Sequence, residues 1–330
     1  MSRMLVVGNG FDLAHGLPTR YKNMIDELKR LVNSSDKASE WLDAEDVKRF
    51  YRNPFIRHFI RPPFKDNWTD FETEIQNIVS YLSCDHTKNH PDSHVDMYFS
   101  DLRHKCAGDP NSQLWPELQK HLDELIEYID LYLSKYLPKV YQPQNYSQEP
   151  QFPDFIYQQE YDYFLSFNYT NTYYDTAETL DNGIGVNTTL REHFIHGRCS
   201  TSGTPQNIVL GTEDQDPENL DTIYFKKYFQ RIQKRTGREV YDWFAADKEI
   251  EVDIFGHSMD ITDKDVLLMI LNTAVRTHIY YYNQADYEQK IINLIRLYGN
   301  PDEFTKRYYA HKIDLHPIDP YMQKNRSTDP

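Results

Sequence analysis

Four short clusters of small and polar residues each close a strand-like run. Gly8, Asn9, Gly10 and Asp12 follow residues 4–7. Asn168 follows 161–167, His196 and Gly197 follow 193–195, and Gly256, His257 and Ser258 follow 249–255. The first is a short apolar run that reads as a buried strand, and the others are strand-like in length and pattern. In an open parallel sheet, ligands bind outside the carboxyl ends of the strands. The recurrence of such residues at four strand ends is therefore the chemical signal of this chain. Gly8-x-Gly10 suits close approach of the backbone to a phosphate, because glycine lacks a Cβ and adopts positive φ. A helix start there would add about half a positive charge and unpaired N–H groups. The same pair equally suits a plain strand-to-helix turn, since the third glycine of the dinucleotide fingerprint is missing and no ribose-reading acid is evident. Asp12 reads as a helix cap or as a member of the site.

Two other constellations carry chemistry-bearing residue types. Cys84, His86, His90 and His94, with Asp85 and Asp92, supply metal-ligand types, but no Cys-x-x-Cys pair accompanies them and Pro91 interrupts any helical face. That stretch reads as a solvated loop, and no metal is expected. Gly256-His-Ser-Met-Asp260 is faintly like a nucleophile elbow, but Asp260 replaces the closing glycine.

The elements that must position these residues follow from periodicity. After β-like residues 4–7, Met24, Ile25, Leu28 and Leu31 recur at helical spacing, as do Phe71, Ile75, Ile78, Val79 and Leu82. Leu118, Leu122, Leu125, Ile129, Leu133 and Tyr136 form a nearly heptad stripe, which fits a core-facing helix or a seam between two copies. Residues 138–153, rich in Pro, Gln and Asn, read as a surface connection. Beyond them, strand-like runs at 161–167, 193–195, 208–210, 249–255 and 276–282 are separated by helical patterns. One helix is capped by Thr262 or Asp263 and another spans 287–297. This alternation predicts an α/β fold with a Rossmann-like, mostly parallel sheet. The expected organisation is one α/β domain over 1–330. A large helical insertion covers 20–140 after the first strand, and the remaining strands and helices cover 141–330.

Composition narrows the function classes. The 330 residues are 39% hydrophobic and 26% charged, with 26 Tyr, 17 Phe and 4 Trp, enough for a well-packed interior. Lys and Arg number 36 against 51 Asp and Glu, a net charge of -15. Such a surface repels phosphate backbones and anionic membranes, so nucleic acid is an unlikely partner and a membrane is not expected. No apolar run approaches the roughly 20 residues of a spanning helix. Three scattered cysteines, Cys84, Cys106 and Cys199, form no disulfide framework, and no signal peptide is visible, which suggests the cytoplasm.

The fourteen residues from Val6 to Thr19, Val-Val-Gly-Asn-Gly-Phe-Asp-Leu-Ala-His-Gly-Leu-Pro-Thr, resemble the opening signature of the AbiH family of bacteriophage abortive-infection proteins. Trp68-Thr-Asp-Phe-Glu72, Ser166-Phe-Asn-Tyr-Thr-Asn-Thr172, His196-Gly197 and Phe255-Gly-His-Ser-Met-Asp260 follow in that family's order, so the resemblance runs from residue 4 to about 315. More distantly, the same positions are similar to the SIR2-like, sirtuin-type NAD-binding fold. The first resemblance implies a role in bacterial defence against phage, with a phage-derived trigger. The second implies NAD as ligand or substrate, held by Gly8, Asn9, Gly10, Phe11, Asp12, Gly256 and Ser258. In that reading Asn168 orients water or a ribose hydroxyl, and His196 is the general base for cleavage of the nicotinamide–ribose bond. Departures stand beside it: Thr170 replaces an aspartate, Asn9 an alanine and Asp12 a serine, and the sirtuin zinc ribbon is absent. The alternatives are a non-catalytic nucleotide or phage-component sensor, and a metal-dependent nuclease built on Asp12, Asp70 and Glu72. A homo-oligomer is compatible with the Leu118 to Tyr136 stripe.

Overall fold

A parallel strand packed on both faces needs apolar residues at successive positions. Met4, Leu5, Val6 and Val7 meet that need, each at most 1% exposed in β1 (Ser2–Val7). β1 lies in the middle of a six-stranded sheet with β2 (Tyr163–Ser166), β3 (Arg191–Phe194), β4 (Ile250–Phe255), β5 (Arg276–Tyr281) and β6 (Ile313–Pro317). The order is β3-β2-β1-β4-β5-β6 and every pairing is parallel. This is the strand order of the doubly wound dinucleotide-binding fold, whose topological switch point falls between β1 and β4. The computed structural model describes residues 1–33, 40–60, 71–83, 98–100, 102, 113–149, 151–180, 189–212 and 220–318. Trp68, Asp70, Cys84, Cys106 and the 84–94 Cys/His stretch lie outside them.

The chain divides into two compact units. One comprises Met1–Leu17, Tyr141–Arg198 and Arg235–Pro330; the other comprises Pro18–Val140 and Cys199–Lys234. The first unit holds the sheet. One sheet face carries Met4, Val6, Leu165, Val252, Ile254 and Ile279 against apolar residues of helices Glu239–Ala246, Lys264–Thr273, Gln284–Tyr298 and Pro301–Tyr309. The other face carries Leu5, Val7, Phe164, Phe194 and Phe255 against Phe11, Ala14, Ile156 and Tyr157. Each fully buried aliphatic or aromatic side chain contributes about 1.5–3 kcal/mol of transfer free energy.

The second unit is helical, with helices Tyr21–Asn33, Ala44–Arg52, Pro54–Ile60, Phe71–Ser83, Leu114–Leu131 and Lys227–Lys234. Asp43 caps the second of these, accepting from the N–H groups of Glu45 and Asp46 at 2.9 and 2.8 Å. Leu118, Leu122, Leu125, Ile129 and Leu133 are at most 4% exposed, so the near-heptad stripe faces this unit's own interior.

Two elements differ from the sequence-based expectation. Residues 208–210 are fully buried but join no sheet. The Gln230 side chain replaces a neighbouring strand, accepting from the Leu210 N–H at 3.0 Å and donating to the Leu210 carbonyl at 2.9 Å. β6, conversely, was not foreseen, because Asp314 and His316 break its apolar run. Among the described residues, no helix is long and apolar enough to cross a membrane.

Candidate functional site

Sheet register brings the strand-end clusters together. Val7 is level with Ser166 on one side and Phe255 on the other, and Ser166 is level with Phe194. The ladder continues one residue further: Phe167 N–H donates to the Val7 carbonyl at 2.9 Å, Ile195 N–H to Ser166 at 3.0 Å and Gly8 N–H to Phe255 at 3.1 Å. Asn168, His196 and His257 each follow that row by one position, at the carboxyl edge.

The glycine turn beside them is closed by the protein itself. Gly10 N–H donates to the Gly256 carbonyl at 2.7 Å, Phe11 N–H donates to Gly8 at 2.8 Å, and the Tyr282 hydroxyl donates to the Gly10 carbonyl at 2.7 Å. A Cβ on Gly256, where φ is +69°, would sit 2.2 Å from the Phe11 nitrogen; one on Gly10 would sit 2.7 Å from the Gly256 Cα. These glycines therefore let two loops pack backbone to backbone across the switch point. In this conformation the Gly8 and Gly10 N–H groups already have acceptors. Asn9 and Ser258 are exposed and Gly256 is half-buried, whereas Phe11 and Asp12 are buried.

Asp12 centres the first polar network. At 1% exposure its Oδ1 accepts from Asn168 Nδ2 at 3.1 Å and Thr172 Oγ1 at 2.8 Å, and its Oδ2 from Thr170 Oγ1 at 2.7 Å. Burial pushes its pKa up to about 6, although these three donors favour the ionised form. Asn168 gives its amide group to Asp12 and to the Gly8 carbonyl, at 3.0 Å. It thus ties the β1 turn to the β2 end. Thr170 stands in this network as a donor, which explains how the loop accommodates a carboxylate at position 12.

A second network has Asp263 at its centre. Its Oδ1 lies 3.0 Å from His196 Nε2 and its Oδ2 lies 3.5 Å from His257 Nε2. All three side chains are largely buried. Both imidazoles touch the half-buried Phe167 ring, at centroid distances of 5.5 and 4.4 Å. His257 Nδ1 accepts from the Met259 N–H at 3.0 Å, which leaves Nε2 as the nitrogen facing the carboxylate. Met259 adopts φ 59°, an unfavourable value for a side-chain-bearing residue, and this hydrogen bond helps hold it. Helix Gln284–Tyr298 clamps the loop from behind. Lys290 Nζ donates to the His257 carbonyl at 2.8 Å and Asn293 Nδ2 to that of Ser258 at 2.9 Å.

The two residues given catalytic roles from the sequence thus belong to different networks, Asn168 to that of Asp12 and His196 to that of Asp263. Sequence reasoning noticed His257 without giving it a role, and it read Asp263 only as a helix cap. The signal for both was present: a histidine and an acid bracketing a loop at a strand end. His15, within the same opening motif, is a core residue. Its Nδ1–H donates to the Phe11 carbonyl at 2.7 Å, its Nε2 accepts from the Tyr157 hydroxyl at 2.8 Å, and burial lowers its pKa to about 4. In the helical unit, Glu72 pairs with buried Lys227 at 2.7 Å.

A search of curated proteins returned no match. The family model described as "Bacteriophage abortive infection AbiH" matches residues 4–282. That span contains both polar networks, the glycine turn, most of β1 and all of β2 to β5. This chain therefore belongs to the AbiH family of bacteriophage abortive-infection proteins, and its role is in bacterial defence against phage.

Proposed function

We propose that this protein acts in abortive infection by binding NAD or a related nucleotide at the carboxyl ends of β1 to β4 and hydrolysing its nicotinamide–ribose bond. The observation that carries this reading is the convergence of His196 and His257 on Asp263 beside the β1/β4 switch point. In the reaction, water adds to the ribose anomeric carbon as the carbon–nitrogen bond breaks, and nicotinamide leaves with the bonding electrons. His196, whose Nε2 faces Asp263, accepts the water proton on Nδ1, and Asp263 orients the ring and stabilises the imidazolium that forms. Asn168 is a positioning residue that holds the Gly8 turn against the end of β2 through its amide. Exposed Asn9 and Ser258 and the half-buried Phe167 are the groups on the rim that meet ligand.

The test is release of nicotinamide from NAD by purified protein, alone and with phage lysate. Turnover that disappears in His196→Ala supports the reading; undiminished NAD under both conditions overturns it. A second reading, a sensor that binds nucleotide without turnover, is favoured by one observation: the Asn168 amide, which would orient the attacking water, is engaged within the protein. NAD binding without nicotinamide release would select it. Against the nuclease reading stand two of its three carboxylates, Asp12 enclosed by neutral donors and Glu72 paired with Lys227.

A further inference from the structure

Away from the strand ends, three metal-ligand side chains meet on one face of the sheet. Register places His278 of β5 level with Asp314 of β6, and Tyr280 level with His316. Side chains alternate along a strand, so His278, Asp314 and His316 share one face. His278 Nδ1 lies 3.0 Å from His316 Nε2, and one donor atom from each of the three residues falls within 4.8 Å of the others. Two ligands about 2.0–2.1 Å from a tetrahedral zinc ion stand about 3.3 Å apart, close to the separation of these two nitrogens.

We propose that His278, Asp314 and His316 bind a divalent transition-metal ion of the zinc class. Two imidazoles and one carboxylate suit such an ion, and imidazole disfavours magnesium and calcium, which take oxygen ligands. The surroundings supply the support that metal-ligating histidines use. Glu251 Oε1 of β4 lies 3.7 Å from His278 Nε2, the nitrogen turned away from His316, where its charge can orient the ring. His311 Nδ1 and Arg276 Nε hold the Asp314 carboxylate at 3.2 and 3.8 Å. An ion there is reachable: His278 and His316 line a cavity of about 710 Å³ with Arg3, Phe155, Asp253 and Tyr280. Three protein ligands leave a fourth position for water or another small ligand.

The experiment is titration of the full chain with Co(II), read by its visible d–d absorption and followed by displacement with Zn(II). One equivalent is expected to bind. Affinity should fall at least about 100-fold in His278→Ala and His316→Ala and about 10–100-fold in Glu251→Gln. The triple variant His86→Ala/His90→Ala/His94→Ala should bind as wild type does, separating this site from the other histidine-rich stretch. Zn(II) should raise the unfolding midpoint of wild type but not of His316→Ala. Asp314→Asn, a partly exposed and conservative change, gives the same reading should a histidine variant fold poorly. Absence of stoichiometric binding to wild type, or binding unchanged in Asp314→Asn and in whichever histidine variants fold, overturns the proposal.

Discussion

Two carboxylates stand at the carboxyl edge of the same sheet, and their partners give them different work. Asp12 is enclosed by an amide and two hydroxyls, groups that donate hydrogen bonds without changing charge near neutral pH. Asp263 faces two imidazoles, the side chain whose ordinary pKa lies nearest neutrality. The first arrangement ties the β1 turn to the β2 loop. The second is suited to taking up and passing on a proton. Similar burial and location therefore do not imply a similar role; the titration behaviour of the neighbours separates scaffold from chemistry.

Substitutions can break this contrast. The largest effect is expected from Asp263→Asn, which keeps the shape but removes the charge facing both rings. The proposed NAD turnover should drop about 10³-fold with a small change in unfolding midpoint. Equal turnover in wild type and variant would reduce Asp263 to a helix cap.

The next is a pH effect. Folding raises the Asp12 pKa from 3.8 to about 6, so the folded state holds this proton more tightly than the unfolded one. The resulting stabilisation is complete below about pH 4 and is lost as pH rises through 6. A shift of about two units corresponds to roughly 3 kcal/mol. Urea unfolding should therefore show wild type losing about that much stability relative to Asp12→Asn between pH 4 and 7. Parallel pH profiles would mean that the Asp12 carboxylate is solvated.

Asp12→Ala, measured at pH 5, should cost about 2 kcal/mol, because Asn168, Thr170 and Thr172 lose their shared acceptor. Its activity, corrected for the folded fraction, should change far less than that of Asp263→Asn. The smallest effect is expected for His257→Gln, about a tenfold loss of turnover. This ring is anchored by the Met259 N–H and sits further from Asp263 than His196 does.

Much of the sheet was legible in the chain. β1 and β2 carry apolar or aromatic runs closed by Gly or Asn, and β4 and β5 are rich in β-branched and aromatic residues and end at Gly256 and Asn283, a pattern produced by burial and a turn at the end. β6 was not legible, because one of its faces carries Asp314 and His316. Residues 208–210 looked like a strand because they are equally apolar, but Gln230 satisfies their backbone instead. At the site, Asn168 and His196 were recognisable from their place after strands. Their separation into two networks was not, since nothing local distinguishes an asparagine that braces a turn from one that meets a ligand. Asp263 was hidden because a helix-capping position and a bridging carboxylate look alike in one dimension.

What the amino-acid order by itself determined is the alternation of buried strands with helices, the positions where the strands stop, and the kinship carried by the motif from Val6 to Thr19. Those properties depend on local composition and spacing. Only the folded chain decided that Asp12 meets hydroxyls while Asp263 meets imidazoles, that Gly10 and Gly256 close on each other, and that His278 reaches His316. Hydrogen bonds and ion pairs act over a few ångströms, and register between strands distant in sequence sets which groups come that close.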